Sequence, residues 1–262
     1  MPLPTLSVRC TGHRKIAQDV FEFTLAKPEG FSFQAGQFVM FQVPLVDKVS
    51  DVQGRAFSIA SAPSEPELLF VAKIKQGGRA GKWISEMLKE GDEVKLQGPL
   101  GKFTLAPYPN AVSGAGLAPF PNAVSGAGLA PSGERKLLFL ATCSGVAPLR
   151  SHIVEALRHG DTRAMDLLFC VRSEENLFWA KELSEIAKGH ANVHVHISLS
   201  RPSAGWKGLT GHVQDVASQV IPDLSERSIY VCGGPEMVKS VRAKAMDEWK
   251  IPKERIHSED YV

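Results

Sequence analysis

The stretch KLLFLATCSGVAPLRS, residues 136–151, sets a continuous apolar run, Lys136–Ala141, against a turn of small residues and a proline that opens an amphipathic segment. An apolar run without alternation marks a strand buried on both faces. Proline suits the first turn of a helix, where its missing N–H costs nothing. Strand, small-residue turn and helix in direct succession let backbone amides approach a phosphate. The turn has neither the three glycines of the dinucleotide fingerprint nor the lysine of a phosphate loop, so an ATPase reading finds no support.

Downstream the rhythm repeats. Apolar runs Leu167–Val171, Val193–Leu199 and Ile229–Cys232 alternate with amphipathic stretches 148–158, 176–188, 212–219 and 235–248. This predicts a parallel sheet covered on both faces. The last run leads through Gly233-Gly234 into Pro235, a second glycine-bearing strand end before a proline-started helix. Ligands of open α/β sheets lie outside the carboxyl ends of the strands, which draws attention to Cys232, although a buried inert thiol explains it equally well. His194 and His196 alternate on a strand without a third ligand at metal spacing and read as structural, one per sheet face. No Gly-x-Ser-x-Gly elbow supports hydrolysis.

Upstream lie short alternating segments separated by turn residues: Val20–Ala26, Gln37–Val43, Arg55–Ala60, Leu68–Lys75, Glu93–Gln97 and Lys102–Leu105. They predict an antiparallel barrel, with one helix over Ala80–Leu88. In Gly54-Arg55-Ala56-Phe57-Ser58-Ile59-Ala60-Ser61, Arg55 and Phe57 share a strand face. There a guanidinium can clamp a phosphate and an aromatic can cover a planar ring, and a plain barrel strand with one surface arginine would look the same. The segment Gln76-Gly77-Gly78-Arg79-Ala80-Gly81-Lys82-Trp83-Ile84 feeds the helix and offers amides to an anion, with Trp83 also readable as core.

Thirty basic residues against twenty-eight acidic ones, net +2, exclude a nucleic-acid-scale positive field, and 44% apolar residues exclude a disordered chain. The four cysteines, Cys10, Cys143, Cys170 and Cys232, are scattered without a C-x-x-C pair, against a disulfide framework, a thiolate metal site or a built-in iron–sulfur cluster. With no run long enough to span a bilayer, a reducing, cytoplasmic location is expected. Between the halves PNAVSGAGLAP occurs at Pro109–Pro119 and again at Pro121–Pro131. Two copies are too few for a solenoid, so the segment reads as a linker or loop.

Taken in order, the Arg55–Ser58 strand, the glycine turn at 77–81, Gly98-Pro99-Leu100-Gly101-Lys102-Phe103, Ser144-Gly145-Val146-Ala147-Pro148 and Cys232-Gly233-Gly234-Pro235 resemble the ferredoxin–NADP reductase superfamily over nearly the whole chain. The resemblance implies two domains, an FAD-binding antiparallel β-barrel at 1–106 and an α/β parallel-sheet NAD(P)-binding domain at 134–262, with the duplicated linker or loop at 107–133 between them. It implies an NAD(P)H-dependent flavin oxidoreductase whose electrons leave to a separate protein or small-molecule acceptor, such as a ferredoxin, flavodoxin, cytochrome or oxygenase component. By the same resemblance Arg55, Ala56, Phe57 and Ser58 hold the flavin nucleotide, with Ser58 at the hydride-accepting nitrogen. Val71 and Lys73 line the flavin, and Gly78, Ala80, Gly81, Lys82 and Trp83 form the pyrophosphate turn. Thr142, Ser144 and Gly145 take the nicotinamide-nucleotide pyrophosphate, and Cys232 and Gly233 flank the nicotinamide. Glu259 and Tyr261 supply the acid-plus-aromatic ending, and Ser58, Cys232 and Glu259 are the expected catalytic groups.

The chain departs from the family pattern in three places. Phe57 stands where tyrosine is usual, Gly81 where serine or threonine is usual, and glycines are usual near Cys143. Phenylalanine at that first position also occurs in reductases that use free flavin as substrate, which keeps a flavin reductase open as an alternative, beside a non-catalytic redox-sensing or docking subunit. Ser200 and Arg201 can receive a 2′-phosphate, and the choice between NADH and NADPH stays open.

Overall fold

The computed structural model describes residues 4–75, 77–105 and 136–261. The duplicated segment lies outside the described residues. The amino-terminal part is an antiparallel sheet of order β4-β3-β6-β1-β2-β5. Its strands are β1 (Thr5–Ala17), β2 (Val20–Ala26), β3 (Phe38–Leu45), β4 (Lys48–Ser58), β5 (Glu67–Lys73) and β6 (Glu93–Leu100). β1 is what rolls the sheet: its first residues pair with β6, Thr5 opposite Gln97, and the rest, from Cys10, pairs with β2. Bulges at Cys10/Gly12 and Lys15/Ala17 supply the bend. Past the end of β4, the Ala60 amide donates to Leu69 O at 2.8 Å, bringing the two edge strands together. Inside, Phe23, Phe41 and Phe70 are fully buried with ring centroids 5.0–5.9 Å apart. Burying each such side chain is worth about 1.5–3 kcal/mol.

Two expected elements differ. Lys102–Leu105 is not a strand, and Phe103 instead tucks under His152 and Tyr230 at 5.2 and 6.0 Å. The helix begins as α1 (Arg79–Lys82) and continues as a π turn over Trp83–Met87, closed by Leu88 N–H on Trp83 O at 2.9 Å. The wider turn lets adjacent Trp83 and Ile84 both enter the core.

The carboxyl-terminal part is a parallel sheet of order β10-β9-β8-β7-β11-β12. It comprises β7 (Lys136–Thr142), β8 (Ala164–Val171), β9 (Val193–Leu199), β10 (Leu209–Thr210), β11 (Ser228–Gly233) and β12 (Ile256–Asp260). The helices are α2 (Val146–Arg158), α3 (Ala180–Gly189), α4 (Val213–Val220) and α5 (Pro235–Asp247). Strand alternation splits the core. Leu137, Phe139 and Ala141 pack with α2 and α3, while Leu138 and Leu140 pack with α4 and α5. The first of these cores also takes in Val20, Ala60, Val71 and Phe103, so apolar packing is continuous from sheet to barrel. His194 and His196 do not divide between faces. Residues two apart on a strand point the same way, and both reach Asp166, at 3.9 and 2.8 Å.

Candidate active site at the seam between barrel and sheet

The order of strand addition reverses at β7, with β8 added on one side and β11 on the other. Such a reversal opens a crevice at the carboxyl ends of the two strands. The ends meet closely. A Cβ on Gly145 would lie 2.2 Å from Cys232 O, and one on Gly233 would lie 2.1 Å from Thr142 Oγ1, so both positions require glycine. β12 then lies beside β11 with Glu259 opposite Cys232, and the Tyr261 amide donates to Gly233 O at 2.9 Å.

This placement carries the carboxyl terminus onto the end of β4. Ser58 Oγ donates to Glu259 Oε1 at 2.9 Å, and Tyr261 Oη donates to Ser58 Oγ at 3.0 Å. Tyr261 Oη also lies 3.5 Å from Ser144 O. Burial raises the Glu259 carboxyl pKa; the Ser58 hydrogen bond opposes this, and Asp260 adds to the rise. Burial likewise raises the thiol of Cys232, against the contact with Tyr261, so it stays protonated and is no ready nucleophile. The Tyr261 phenol is raised as well, chiefly by burial. The seam is therefore a chain of phenol, hydroxyl, carboxyl and thiol in which burial favours the uncharged form of each titratable group.

Residues 7–105 match the oxidoreductase FAD-binding domain and residues 139–243 the oxidoreductase NAD-binding domain. Ferredoxin–NADP reductase B of Sorangium cellulosum is 31% identical over 261 residues, covering 97% of this chain and 96% of the relative. The chain belongs to the ferredoxin–NADP reductase superfamily. The reductase component of the naphthalene 1,2-dioxygenase system of Pseudomonas putida is 28% identical over 83% of the chain, which spans 56% of that relative. The Amycolatopsis cytochrome P450 reductase GcoB superposes with a TM-score of 0.79 at 25% identity, over 98% of this chain and 70% of that one. A Neisseria gonorrhoeae ferredoxin NADP+ reductase, solved with FAD and NADP, shares the fold with a TM-score of 0.76 at 19% identity, over 98% of both chains.

The donor set of this superfamily member suits two dinucleotides. Gly145 precedes α2 without a side-chain cap, and Gly234 precedes α5 in the same way, which leaves first-turn amides for an anion. Cys143 holds φ 49°, a left-handed conformation that accounts for the glycines usual near it; a side chain there costs about 1–2 kcal/mol. At Gly81 a Cβ would sit 3.0 Å from both Lys75 O and Ile74 Cγ2, so the serine usual there would crowd this turn.

The remaining expected residues spread around this seam. Arg55 curls back on its own strand, donating to Gly54 O at 2.7 Å and Gln53 Oε1 at 2.8 Å. Ala56 is exposed on β4, Val71 is buried on β5, and Lys73 points outward. Phe57 is half-buried against Phe41, ring centroids 5.2 Å apart. Gly78 and Ala80 are half-buried and Lys82 is exposed. Trp83 is the exception. Its side chain packs on Phe23 and Phe41 in the barrel core, at 6.4 and 5.9 Å, leaving only its main chain for the pyrophosphate turn. Ser200 and Arg201 lie past β9, their amides on Val171 O and Arg172 O, with the Arg201 side chain in solvent.

Sequence reading missed Arg79, which reaches Asp51 of β4 at 2.9 Å and ties the glycine turn to the strand carrying Arg55. It also missed Trp179 Nε1, which donates to buried Glu22 at 2.6 Å across the seam.

Proposed function

We propose that this oxidoreductase holds FAD on the barrel and NAD(P)H on the parallel sheet, and passes electrons to a separate acceptor such as a ferredoxin, flavodoxin, cytochrome or oxygenase component. When bound, the flavin would accept hydride from the nicotinamide and release the electrons singly or in pairs. The observation that carries this reading is the convergence of Ser58 with Glu259 and Tyr261, 201 and 203 residues away in sequence, at 2.9 and 3.0 Å on the line where the two halves meet.

Arg55, Ala56, Phe57, Val71, Lys73, Gly78, Ala80, Gly81, Lys82 and the main chain of Trp83 would hold FAD. Thr142, Ser144, Gly145, Cys232 and Gly233 would hold the nicotinamide dinucleotide, with Ser200 and Arg201 at its adenosine end. Ser58 offers a hydroxyl already oriented by Glu259 and Tyr261. Its one proton is given to Glu259 and it accepts from Tyr261, so its oxygen is held in place from both sides. Burial raises the Glu259 pKa and so favours the protonated form of the carboxyl that accepts from that hydroxyl. Cys232 fills space and keeps water out. The division into 1–106, 107–133 and 134–262 follows these roles. The cysteines, free among the described residues, and a sequence without clustered thiols favour an acceptor outside the chain. No helix among the described residues is long and apolar enough to cross a membrane, and free thiols fit a cytoplasmic setting.

Purified protein is expected to be yellow and to bleach on anaerobic addition of NADH or NADPH. Flavin-loaded protein that neither coenzyme bleaches would overturn the reading. The half-buried Phe57, lacking a hydroxyl for the flavin, favours a second reading in which free flavin is the substrate. That reading predicts colourless protein whose NAD(P)H oxidation saturates with added FMN or riboflavin.

A further inference from the structure

Three consecutive residues of α2 reach across the seam into the barrel. Arg150 Nη1 donates to Ala60 O at 3.0 Å, Ser151 Oγ donates to Ser61 O at 2.7 Å, and His152 Nε2 lies 2.9 Å from Phe103 O. Arg150 is the centre of this contact. Its Nη1 and Nη2 also grip the carboxylate of Glu65 at 2.8 and 3.0 Å, its Nε donates to Glu182 of α3 at 2.6 Å, and its guanidinium lies 5.9 Å from the Trp179 ring centroid. Only 8% of the residue is exposed. The two-pronged geometry is one that a lysine cannot reproduce.

What Arg150 joins matters more than the number of bonds. Ala60 follows Ser58 by two residues, at the end of β4. Arg150 stands in the second turn of the helix that starts at Gly145, directly after the turn of Thr142 and Ser144. One side chain therefore ties the strand end bearing Ser58 to the helix that begins at the nicotinamide-side turn.

We propose that Arg150 is a positioning residue, which fixes the distance and tilt between the flavin-bearing and nicotinamide-bearing halves through its fork to Glu65 and its bond to Ala60. This rests on the reading that hydride crosses the seam. Misplacement of reacting atoms by about 1 Å can cost about 10²-fold in rate.

The test uses the full chain loaded with FAD, as wild type and Arg150→Lys, with two readouts. The first is hydride transfer from NAD(P)H by stopped flow, with KM and bound FAD measured alongside. The second needs no reaction: hydrogen exchange at the Gln18 amide, which donates to Glu175 O across the seam at 2.8 Å through a bond that does not involve Arg150. In Arg150→Lys, transfer is expected to slow about 30-fold, with KM changed less than about threefold and FAD retained. Protection at Gln18 is expected to fall about tenfold while β8 amides keep theirs. Unchanged transfer with unchanged Gln18 protection overturns the proposal, as does a rate loss fully matched by lost FAD or raised KM. Should Arg150→Lys fail to fold, Glu65→Gln carries the same readouts, with about fivefold effects expected. Wild-type protein that binds FAD but is not reduced by NAD(P)H would refute the hydride reading itself, and loss of Gln18 protection in the variant would still identify Arg150 as the clamp.

Discussion

Two buried polar clusters lie at opposite ends of the parallel sheet, and they are built on opposite principles. At the amino-terminal end, Asp166 of β8 meets Arg227 at 2.6 Å and His196 at 2.8 Å, while Arg227 also takes Asp223 at 2.9 Å and Leu137 O at 3.0 Å. Burial pushes the Asp166 pKa up, but the His196 hydrogen bond and Arg227 outweigh it, and the net shift is downward. At the carboxyl-terminal end burial raises the Glu259 pKa and Asp260 adds to the rise, with only the Ser58 hydrogen bond opposing it. A cluster that holds the fold together pairs its charges. One that serves chemistry leaves a carboxyl short of a counter-charge, which shifts it toward its protonated form.

The largest expected effect tests the first half of this contrast. Arg227→Met leaves Asp166 buried with the histidines His196 and His194 beside it, and breaking a buried pair from one side costs about 3–5 kcal/mol. Denaturant unfolding should show that loss, while hydride transfer per folded molecule stays at the wild-type rate. A slowed chemical step would mean that the two ends of the sheet are coupled. Ser58→Ala should do the reverse. Removal of the hydroxyl that holds Glu259 and Tyr261 in place should slow transfer by about 10²-fold through misplacement at the seam, with stability changed by about 1 kcal/mol. Equal stability and an unchanged transfer rate would take Ser58 out of the chemistry.

Acidity separates the clusters further. Asp166, with its pKa depressed below 3.8, contributes stability present above pH 3.8 and lost as pH falls through its depressed folded value. Glu259 is raised above 4.5, so its contribution is full below pH 4.5 and is lost as pH rises through the folded value. Glu259→Gln should therefore abolish a decline in stability on the rising side of pH 4.5, and Asp166→Asn the acid-side loss. Comparison of the three unfolding curves from pH 3 to 8 checks both signs. If Glu259→Gln follows the wild-type curve throughout, its carboxyl is not destabilised by the seam.

How much of this was readable in advance follows from where the signal sits. Val20–Ala26 and Val193–Leu199 coincide with β2 and β9 because apolar periodicity is local. β1 escaped although Leu6, Val8 and Cys10 alternate with Thr5, Ser7 and Arg9, because the alternation stops at Cys10, where the strand changes partner, and the polar second half, TGHRKIA, carries no apolar period. β10 and β12 escaped because two and five residues at a sheet edge carry little apolar pattern. Ser58, Glu259 and Tyr261 came from family resemblance, since nothing local announces contacts across two hundred residues, whereas Cys232 was marked by its place at the carboxyl end of a parallel strand. Arg150 left a trace that went unread: an arginine inside the apolar stripe of Val146, Ala147, Leu149 and Ile153 must find partners or stay out of the core.

The smallest effect belongs to a charge outside both clusters. Arg201 is exposed, and its amide, bonded to Arg172 O at 2.7 Å, fixes the turn while the side chain stays in water. A charge pair in that setting is worth about 1 kcal/mol at most, or about fivefold. If a 2′-phosphate is read there, Arg201→Ala should raise the KM for NADPH about fivefold at low salt and leave that for NADH unchanged. The difference should fade toward 1 M salt, where the screening length is about 3 Å. A buried clamp would keep its effect at high salt, so the same titration on Arg150→Lys gives the contrast: its slowed transfer should persist while the Arg201 effect disappears. An Arg201→Ala enzyme with both KM values unchanged would place coenzyme discrimination elsewhere on the sheet.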